Sequence, residues 1–128
     1  MEPGHEYVDI RFGANETFKI GRRSDSDLIL EYPTVSADHC HIIWYFDGAR
    51  YYACVFDTST NGTKIMSYEN GQMKVLTCSH DLMFIIEAGD VLVLSKRRSV
   101  YVHINSIVMA NEDSDASTEV IDGSLNVT

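Results

Sequence analysis

The chain has 128 residues, enough for one domain with a hydrophobic core, and 45% of them are hydrophobic, as in globular proteins. Its formal net charge of −9 argues against general affinity for DNA or RNA. The longest strongly apolar run, 82–86, is far too short to span a bilayer, and the N-terminus lacks the basic-then-apolar pattern of a secretory signal. We therefore expect neither a nucleic-acid partner nor a membrane partner.

Short strand-like runs follow one another through the first hundred residues. Apolar and polar residues alternate in 7–12, for example, and dipeptides such as Asp47-Gly48 mark turns between the runs. No stretch of useful length has helical spacing. The predicted strands are 7–12, 18–20, 28–30, 40–46, 51–56, 63–66, 75–76, 82–86, 91–94 and 100–104. This pattern predicts an all-β fold, a sandwich of two mostly antiparallel sheets.

The composition changes near Ala110. Residues 111–128 contain five acidic and no basic side chains, and they are poor in the large apolar residues that a core requires. We predict a folded domain over residues 1–109 and an acidic flexible tail or linker over 110–128.

The chain has three cysteines, Cys40, Cys54 and Cys78. The number is odd and no spacing matches a metal motif, so we expect reduced, mostly buried thiols in a reducing compartment. In a strand, His39 and His41 would point away from Cys40, and no fourth ligand is evident. We expect no metal site and no cofactor.

A polar stretch, Asp57-Thr58-Ser59-Thr60-Asn61-Gly62-Thr63, separates two of the strongest predicted strands. Asn-Gly favours a tight turn with positive φ, and the short polar side chains before it stabilise turns by bonding nearby backbone groups. One interpretation is an ordinary hairpin turn. The other is a pre-shaped loop that presents hydroxyls and an amide to a ligand.

Three such sites occur at predicted strand ends: Gly21-Arg22, Ser36–His39 and Thr60–Gly62. Arginine offers a planar, permanently charged fork, and serine and threonine hydroxyls donate to further oxygens. Backbone N–H groups in tight loops add fixed partial charge. These groups suit a phosphate, and a phosphothreonine carries about −1.5 to −2 charge at neutral pH.

Four motifs together resemble the forkhead-associated (FHA) domain over roughly residues 7–107. They are Ile20-Gly21-Arg22, Ser36-x-x-His39, Asp57-x-Ser59-x-Asn61-Gly62-Thr63, and Gly89-Asp90 before a hydrophobic strand. The resemblance implies a β-sandwich with its ligand loops at one end. It also implies a phosphothreonine-dependent module that docks phosphorylated partner proteins through an Arg/Ser phosphate clamp, and not an enzyme.

The resemblance implies roles for individual residues. Arg22 would clamp the phosphate, Ser36 would donate a hydroxyl to it, and Thr60 would add a further contact. Asn61 would bond the main chain of the bound peptide. Three further residues would have structural roles: Gly21, His39 and Gly62. The His39 imidazole would support the loops from the side away from the ligand.

Specificity is expected to depend on residues around the clamp. Ala37 stands where related domains often have a polar or basic contact, and Thr34 stands where some have an arginine that reads an acidic side chain three residues after the phosphothreonine. Lys96, Arg97 and Arg98 form a basic tip. It is either a solvated turn or a surface that faces the peptide's C-terminal half.

An alternative from another class is a β-sandwich that assembles proteins through an apolar face without reading phosphate. FHA domains also often precede serine/threonine kinase domains, including checkpoint and meiotic kinases, so one hypothesis is that this domain is the regulatory part of such a kinase. The resemblance implies a location in the nucleus or cytoplasm. Thr118 lies among acidic residues in the predicted tail. One interpretation of this segment is an unmodified acidic linker. The other hypothesis is that phosphorylated Thr118 docks into the Arg22 site of a second copy.

Overall fold

The computed structural model describes residues 4–12, 17–95 and 97–109. These residues form strands and turns, and none of them belongs to a helix long and apolar enough to cross a membrane. The strands are β1 (His5–Phe12), β2 (Thr17–Gly21), β3 (Leu28–Ile29), β4 (Cys40–Phe46), β5 (Tyr51–Asp57), β6 (Thr63–Glu69), β7 (Gln72–Thr77), β8 (Met83–Ile86), β9 (Val91–Leu94) and β10 (Val100–Met109). The all-β prediction is confirmed.

Two five-stranded sheets form the sandwich. One has the order β1-β10-β9-β6-β7 and the other β3-β2-β4-β5-β8. Two pairs are parallel, β1 with β10 and β2 with β3, and the other pairs are antiparallel. The mostly antiparallel arrangement is therefore also confirmed.

The core lies between the inner faces of the two sheets. Alternate residues of the strands fill it, among them Ile10, Ile42, Leu92 and Ile104, each almost completely buried. Burying one side chain of this size contributes about 1.5–3 kcal/mol, so the alternation fixes which side of each strand faces inward.

The stretch 58–62 crosses from one sheet to the other, because β5 and β6 belong to different sheets. The hairpin interpretation of this stretch is therefore wrong. The same dipeptide does make a two-residue hairpin between β6 and β7, where Asn70 and Gly71 both have positive φ, 55° and 79°. In the crossing loop the positive φ is at Gly62, at 96°.

Five connections meet at one end of the sandwich, which we call the loop end; their described residues are 22–27, 30–39, 58–62, 78–82, and 95 with 97–99. Main-chain hydrogen bonds join four of them, all but 78–82. Arg22 N–H donates to the Ser36 carbonyl (3.1 Å), Thr58 N–H to the His39 carbonyl (3.0 Å) and Ser95 N–H to the Gly62 carbonyl (2.8 Å). The motifs singled out in the sequence therefore lie at the same end of the molecule.

The strands that extend furthest beyond the sequence pattern are β7 and β10. β7 is an edge strand and all of its residues are exposed. Its sequence therefore lacks the alternation of buried and exposed residues that indicates a strand, and only Val75-Leu76 were predicted. The pairing of β10 with β1 has a register shift between Val8 and Asp9, which pair with Ile104 and Ser106. This irregularity interrupts the alternation of apolar and polar residues after residue 104. The sequence pattern therefore does not identify the second half of β10 as strand.

All three cysteines are buried and none forms a disulfide. Burial raises the pKa of Cys40 and Cys78, the latter to about 11, so both are protonated at neutral pH. Lys96 and the predicted tail with Thr118 lie outside the described residues. The domain boundary between residues 109 and 110 stays a prediction.

Candidate ligand-binding site

Gly21 lies where two main chains touch. A Cβ added to Gly21 would be 2.1 Å from the carbonyl oxygen of Ala37, so only glycine fits without moving the 30–39 connection. This close approach lets the N–H groups of Arg22 and Arg23 donate to the carbonyls of Ser36 and Ala37. The end of β2 is thereby fixed beside Ser36.

The Arg22 guanidinium is oriented by one hydrogen bond, from its Nε to the Val35 carbonyl. The side chain is otherwise exposed, and among the described residues nothing accepts from its two terminal nitrogens. Arg23 is different, since it donates to Asp25 (Nε–Oδ1 3.1 Å) and its Nε lies 3.9 Å from Asp38 Oδ1. Of these two adjacent arginines, Arg22 is the one with its fork free.

Ser36 and Thr60 come from different connections and are joined directly. The Thr60 main-chain N–H donates to Ser36 Oγ over 2.9 Å. Because the serine oxygen is used as an acceptor, its hydroxyl proton is left to donate elsewhere, and no described residue accepts it. Thr60 is exposed, and its hydroxyl likewise has no partner within the described part of the chain.

His39 connects the same two loops from inside the protein. Its fully buried ring accepts from Ser36 N–H at Nδ1 (3.0 Å), and Nε2 lies 3.0 Å from the Gly62 carbonyl, to which it must donate. These bonds require a neutral ring with its proton on Nε2. Burial lowers the pKa of His39, which favours this neutral form.

Asp57 shapes the 58–62 connection through a buried carboxylate. Its Oδ1 accepts from Ser59 N–H (3.1 Å), Ser59 Oγ (2.7 Å) and Thr63 Oγ1 (2.8 Å). The Ser59 oxygen in turn accepts from Gly62 N–H (2.8 Å). The loop is therefore held by its own side chains before any ligand arrives.

His80 is a contributor that the sequence did not reveal. Its Nε2 lies 2.9 Å from the Ser59 carbonyl and 3.4 Å from Asp57 Oδ2, so the connection 78–82 supports the 58–62 loop. A single histidine between two weakly patterned strands carries no sequence signal that would identify it.

Asn61 faces the 30–39 connection. Its Nδ2 donates to the Thr34 carbonyl (3.0 Å), and the Thr34 hydroxyl donates to the Arg98 carbonyl (3.1 Å). One amide hydrogen is thus used inside the protein, and Oδ1 has no partner among the described residues. Asn61, Thr34 and Arg98 form a chain of contacts across three loops.

Beside Thr34 lies a cleft of about 410 Å³. Its lining residues are Gly4, Tyr32, Pro33, Thr34, Arg98, Ser99 and Val100. The Tyr32 hydroxyl donates to Glu6 (2.6 Å), which fixes the ring that forms one wall. The sequence pointed to Thr34 and Arg98 but not to Tyr32 or Val100, whose sequence positions have no motif.

The structure brings the proposed clamp residues together, since contacts between the loops connect Arg22, Ser36, Thr60 and Asn61. Two of the tentative specificity residues, Ala37 and Arg97, are exposed at the same end. The main-chain N–H of Arg97 donates to Ser95 Oγ (3.3 Å). The roles of all these residues in binding a ligand stay predictions.

Two other interpretations of these side chains, a metal site and a catalytic triad, can be compared with the observed contacts. In the described residues, no group of three or more His, Cys, Asp or Glu side chains is placed to hold a metal ion. A catalytic triad of Ser36, His39 and Asp57 would require a hydrogen bond between the Ser36 hydroxyl and the His39 ring. In the structure, His39 Nδ1 accepts from the main-chain N–H of Ser36 and not from its hydroxyl.

We predict that His39 stays neutral, with its proton on Nε2, below the ordinary imidazole pKa of about 6.5. The stability that depends on the neutral ring is complete above that pH and is lost as the pH falls towards the lowered pKa of the folded protein. Long-range ¹H–¹⁵N spectra across pH 8 to about 5 report both the tautomer and the pKa. Titration of His39 at or above pH 6.5, or a proton on Nδ1, would contradict this assignment.

Comparison with known proteins gives a family and a set of similar folds. No curated protein matches the chain significantly. Among solved structures, the FHA domain of MEK1 in complex with a HOP1 phosphothreonine peptide is 30% identical, and the match covers 68% of this chain and 79% of that chain with a TM-score of 0.47.

Two further solved structures are more distant in sequence. The N-terminal FHA domain of Rad53p from S. cerevisiae, in complex with a phosphothreonine peptide, is 22% identical over 66% of this chain and 63% of that chain, with a TM-score of 0.50. The yeast Pml1 splicing factor is 22% identical over 67% of this chain and 58% of that chain, with a TM-score of 0.54. These two share the fold.

The sequence model of the FHA domain matches residues 18–95, which is more than half of the chain. This range includes Gly21-Arg22, Ser36, His39 and the 58–62 connection, all of which lie at the loop end. The chain belongs to the FHA domain family.

Proposed function

We propose that the loop end binds phosphothreonine in partner proteins and that the domain is a docking module, not an enzyme. The observation that carries the proposal is the set of unused donors at one place. The Arg22 fork and the hydroxyls of Ser36 and Thr60 are all held in position by the protein, yet their outward hydrogens have no acceptor among the described residues.

A phosphate group matches this set chemically. It has about −1.5 to −2 charge and three acceptor oxygens, which an arginine fork and two hydroxyls can satisfy together. An unphosphorylated threonine offers no such charge, so binding would depend on phosphorylation. The fixed Arg22 side chain also loses little conformational entropy when the ligand arrives.

Asn61 would recognise the main chain of the bound peptide. Its Oδ1 is available to accept a peptide N–H, while its Nδ2 keeps the contact with the Thr34 carbonyl. A side-chain amide that bonds the ligand backbone is indifferent to peptide sequence. Asn61 would therefore add affinity, and selectivity would come from the phosphate and from side chains farther along the peptide.

Membership of the FHA family supports this proposal. The ligand class also agrees with the phosphothreonine peptides bound to the FHA domains of MEK1 and Rad53p. The predicted place beside a kinase domain and in the nucleus stays a prediction. Docking of phosphorylated Thr118 also stays a prediction, since that residue lies outside the described part of the chain.

We predict that Arg22→Ala abolishes measurable phosphopeptide binding and leaves the fold intact. Removing one partner of a desolvated charge pair costs about 2–5 kcal/mol, which is roughly 30-fold to 4,000-fold in affinity. Calorimetry with a phosphothreonine peptide and its unphosphorylated form measures the effect.

The matched control is Arg23→Ala, because Arg23 is the next residue in the chain and already pairs with Asp25. It should retain nearly the wild-type affinity. Equal losses in the two variants would mean that general positive charge, and not a clamp at Arg22, holds the peptide.

We predict that Asn61→Ala weakens the binding of phosphorylated peptides, because it removes the acceptor aimed at the ligand backbone. Asn70→Ala is the control, since Asn70 also precedes a glycine in a turn but lies at the opposite end of β6. Titration calorimetry and thermal melting should be compared for both variants. If Asn61→Ala lowers only the melting temperature, Asn61 is a turn former and not a ligand contact.

We further predict that Arg98, at the edge of the cleft beside Thr34, favours peptides with an acidic residue after the phosphothreonine. Arg98→Glu should cost roughly two- to fivefold more affinity for an acidic peptide than for a neutral one, as for an exposed charge pair, and the difference should shrink in high salt. Arg11→Glu is the control, because Arg11 pairs with Val108 at the far end of β10. Equal losses for the two peptides would exclude a role in specificity.

A further inference from the structure

Ser95, the first residue after β9, has a backbone conformation that its side chain disfavours. Its φ is 78°, and among the described residues the only other non-glycine residue with positive φ is Asn70, at 55° in the β6–β7 hairpin. Asparagine is enriched at positive φ and serine is not, because the Cβ crowds the backbone there. Ser95 is also buried. An observed strain of this kind, at the loop end, is a reason to look for a function of the residue.

Three hydrogen bonds connect Ser95 to the residues around it. Its N–H donates to the Gly62 carbonyl (2.8 Å), which also accepts from His39. Its Oγ accepts from Arg97 N–H (3.3 Å), and its carbonyl accepts from the Ser99 hydroxyl (3.2 Å). Ser95 therefore joins the end of the 58–62 connection to residues 97–99.

Residues 97–99 are anchored a second time, from the 30–39 connection. The Thr34 hydroxyl donates to the Arg98 carbonyl (3.1 Å), and the Thr34 carbonyl accepts from Asn61 Nδ2 (3.0 Å). Because Asn61 precedes Gly62 in the chain, these contacts close a ring at the loop end. The members of the ring are Gly62, Ser95, residues 97–99, Thr34 and Asn61.

The ring determines where the Arg98 side chain is presented. Arg98 and Ser99 line the cleft beside Thr34. Arg98 is exposed, and no carboxylate of the described residues forms an ion pair with it. A charged side chain without such a partner is placed by its backbone. The direction of the Arg98 charge therefore depends on what holds residues 97–99.

We propose that Ser95 is a positioning residue for peptide selectivity, whose left-handed backbone and hydroxyl hold residues 97–99 so that Arg98 presents its charge at the cleft. The ligand selected in this way is a phosphothreonine segment followed by acidic side chains. This inference rests on the proposed phosphothreonine binding at the loop end. Ser95 does not belong to the clamp, so it affects the choice between phosphopeptides and not the recognition of phosphate.

Glycine and alanine at position 95 separate this role from a contribution to stability. Glycine adopts positive φ without a steric penalty, so Ser95→Gly relieves the strain, removes the acceptor of Arg97 N–H and frees the backbone to leave the left-handed region. Ser95→Ala keeps the strain and removes only the hydroxyl. Ser95→Gly should therefore melt at a higher temperature than Ser95→Ala, although it leaves residues 97–99 less restricted.

Calorimetry with two phosphothreonine peptides, whose three residues after the phosphothreonine are either all Glu or all Gln, measures the selectivity. The wild type should prefer the Glu peptide at least about twofold, as expected for an exposed charge pair. Ser95→Gly should bring this ratio close to one and leave the affinity for the Gln peptide within about twofold of the wild type. Asn70→Gly is the matched control, because it relieves the other non-glycine positive φ at the opposite end of β6, and it should leave the ratio unchanged.

Relaxation of ¹⁵N in the unliganded full chain tests the positioning without any peptide. The amides of Arg97, Arg98 and Ser99 should have order parameters near the value of about 0.85 that is typical of rigid backbone. Ser95→Gly should lower these order parameters clearly, whereas Asn70→Gly should leave them unchanged.

Failure of this inference and failure of the proposed function give different results. If the wild type binds neither phosphopeptide more tightly than its unphosphorylated form, the proposed function is wrong. If it binds both but has no preference for the Glu peptide, or if Ser95→Gly retains that preference or the order of residues 97–99, this inference is wrong. A preference that follows the melting temperature, with Ser95→Ala losing more of it than Ser95→Gly, would also overturn the inference, because Ser95 would then only stabilise the fold.

Discussion

The neutral ring of His39 is the contact on which the rest of the loop end depends. It accepts from Ser36 N–H and donates to the Gly62 carbonyl, so one buried side chain sets the distance between the 30–39 and 58–62 connections. The exposed groups above it depend on that distance. Ser36 Oγ reaches Thr60 N–H, and Asn61 reaches the Thr34 carbonyl, because His39 and the bond from Thr58 N–H to the His39 carbonyl hold the two loops at this separation.

Rigidity of this kind suits a site that recognises a small charged group. The loops are fixed by Asp57, by His39 and by the close approach of Gly21 to the Ala37 carbonyl, and of these residues Asp57, His39 and Gly21 are buried. Two hydroxyls and the arginine fork are left as donors without acceptors among the described residues, and the Asn61 amide oxygen is left as an acceptor. In the proposed complex a phosphate supplies the missing acceptors, so the binding energy is not spent on ordering the loops.

Different surfaces of the sandwich have different roles. The inner faces of the two sheets form the core, and the connections between them at one end carry the proposed ligand site. The outer side of β4, β5 and β8 contributes to neither, although it is apolar.

The sequence by itself determined the fold class and predicted the chemistry of the site. Alternation in runs such as 7–12 and 40–46 indicated strands with one inner face, and the motifs with Arg22, Ser36 and Asn61 indicated a phosphate-binding loop cluster. Tertiary structure decided how those parts meet. Two Asn-Gly dipeptides are alike in sequence, but one closes the β6–β7 hairpin and the other ends a crossing between sheets, because pairing partners are chosen by long-range packing. The support from His80, the tautomer of His39 and the cleft beside Tyr32 likewise depend on residues distant in the chain, and local sequence holds no information about their distances.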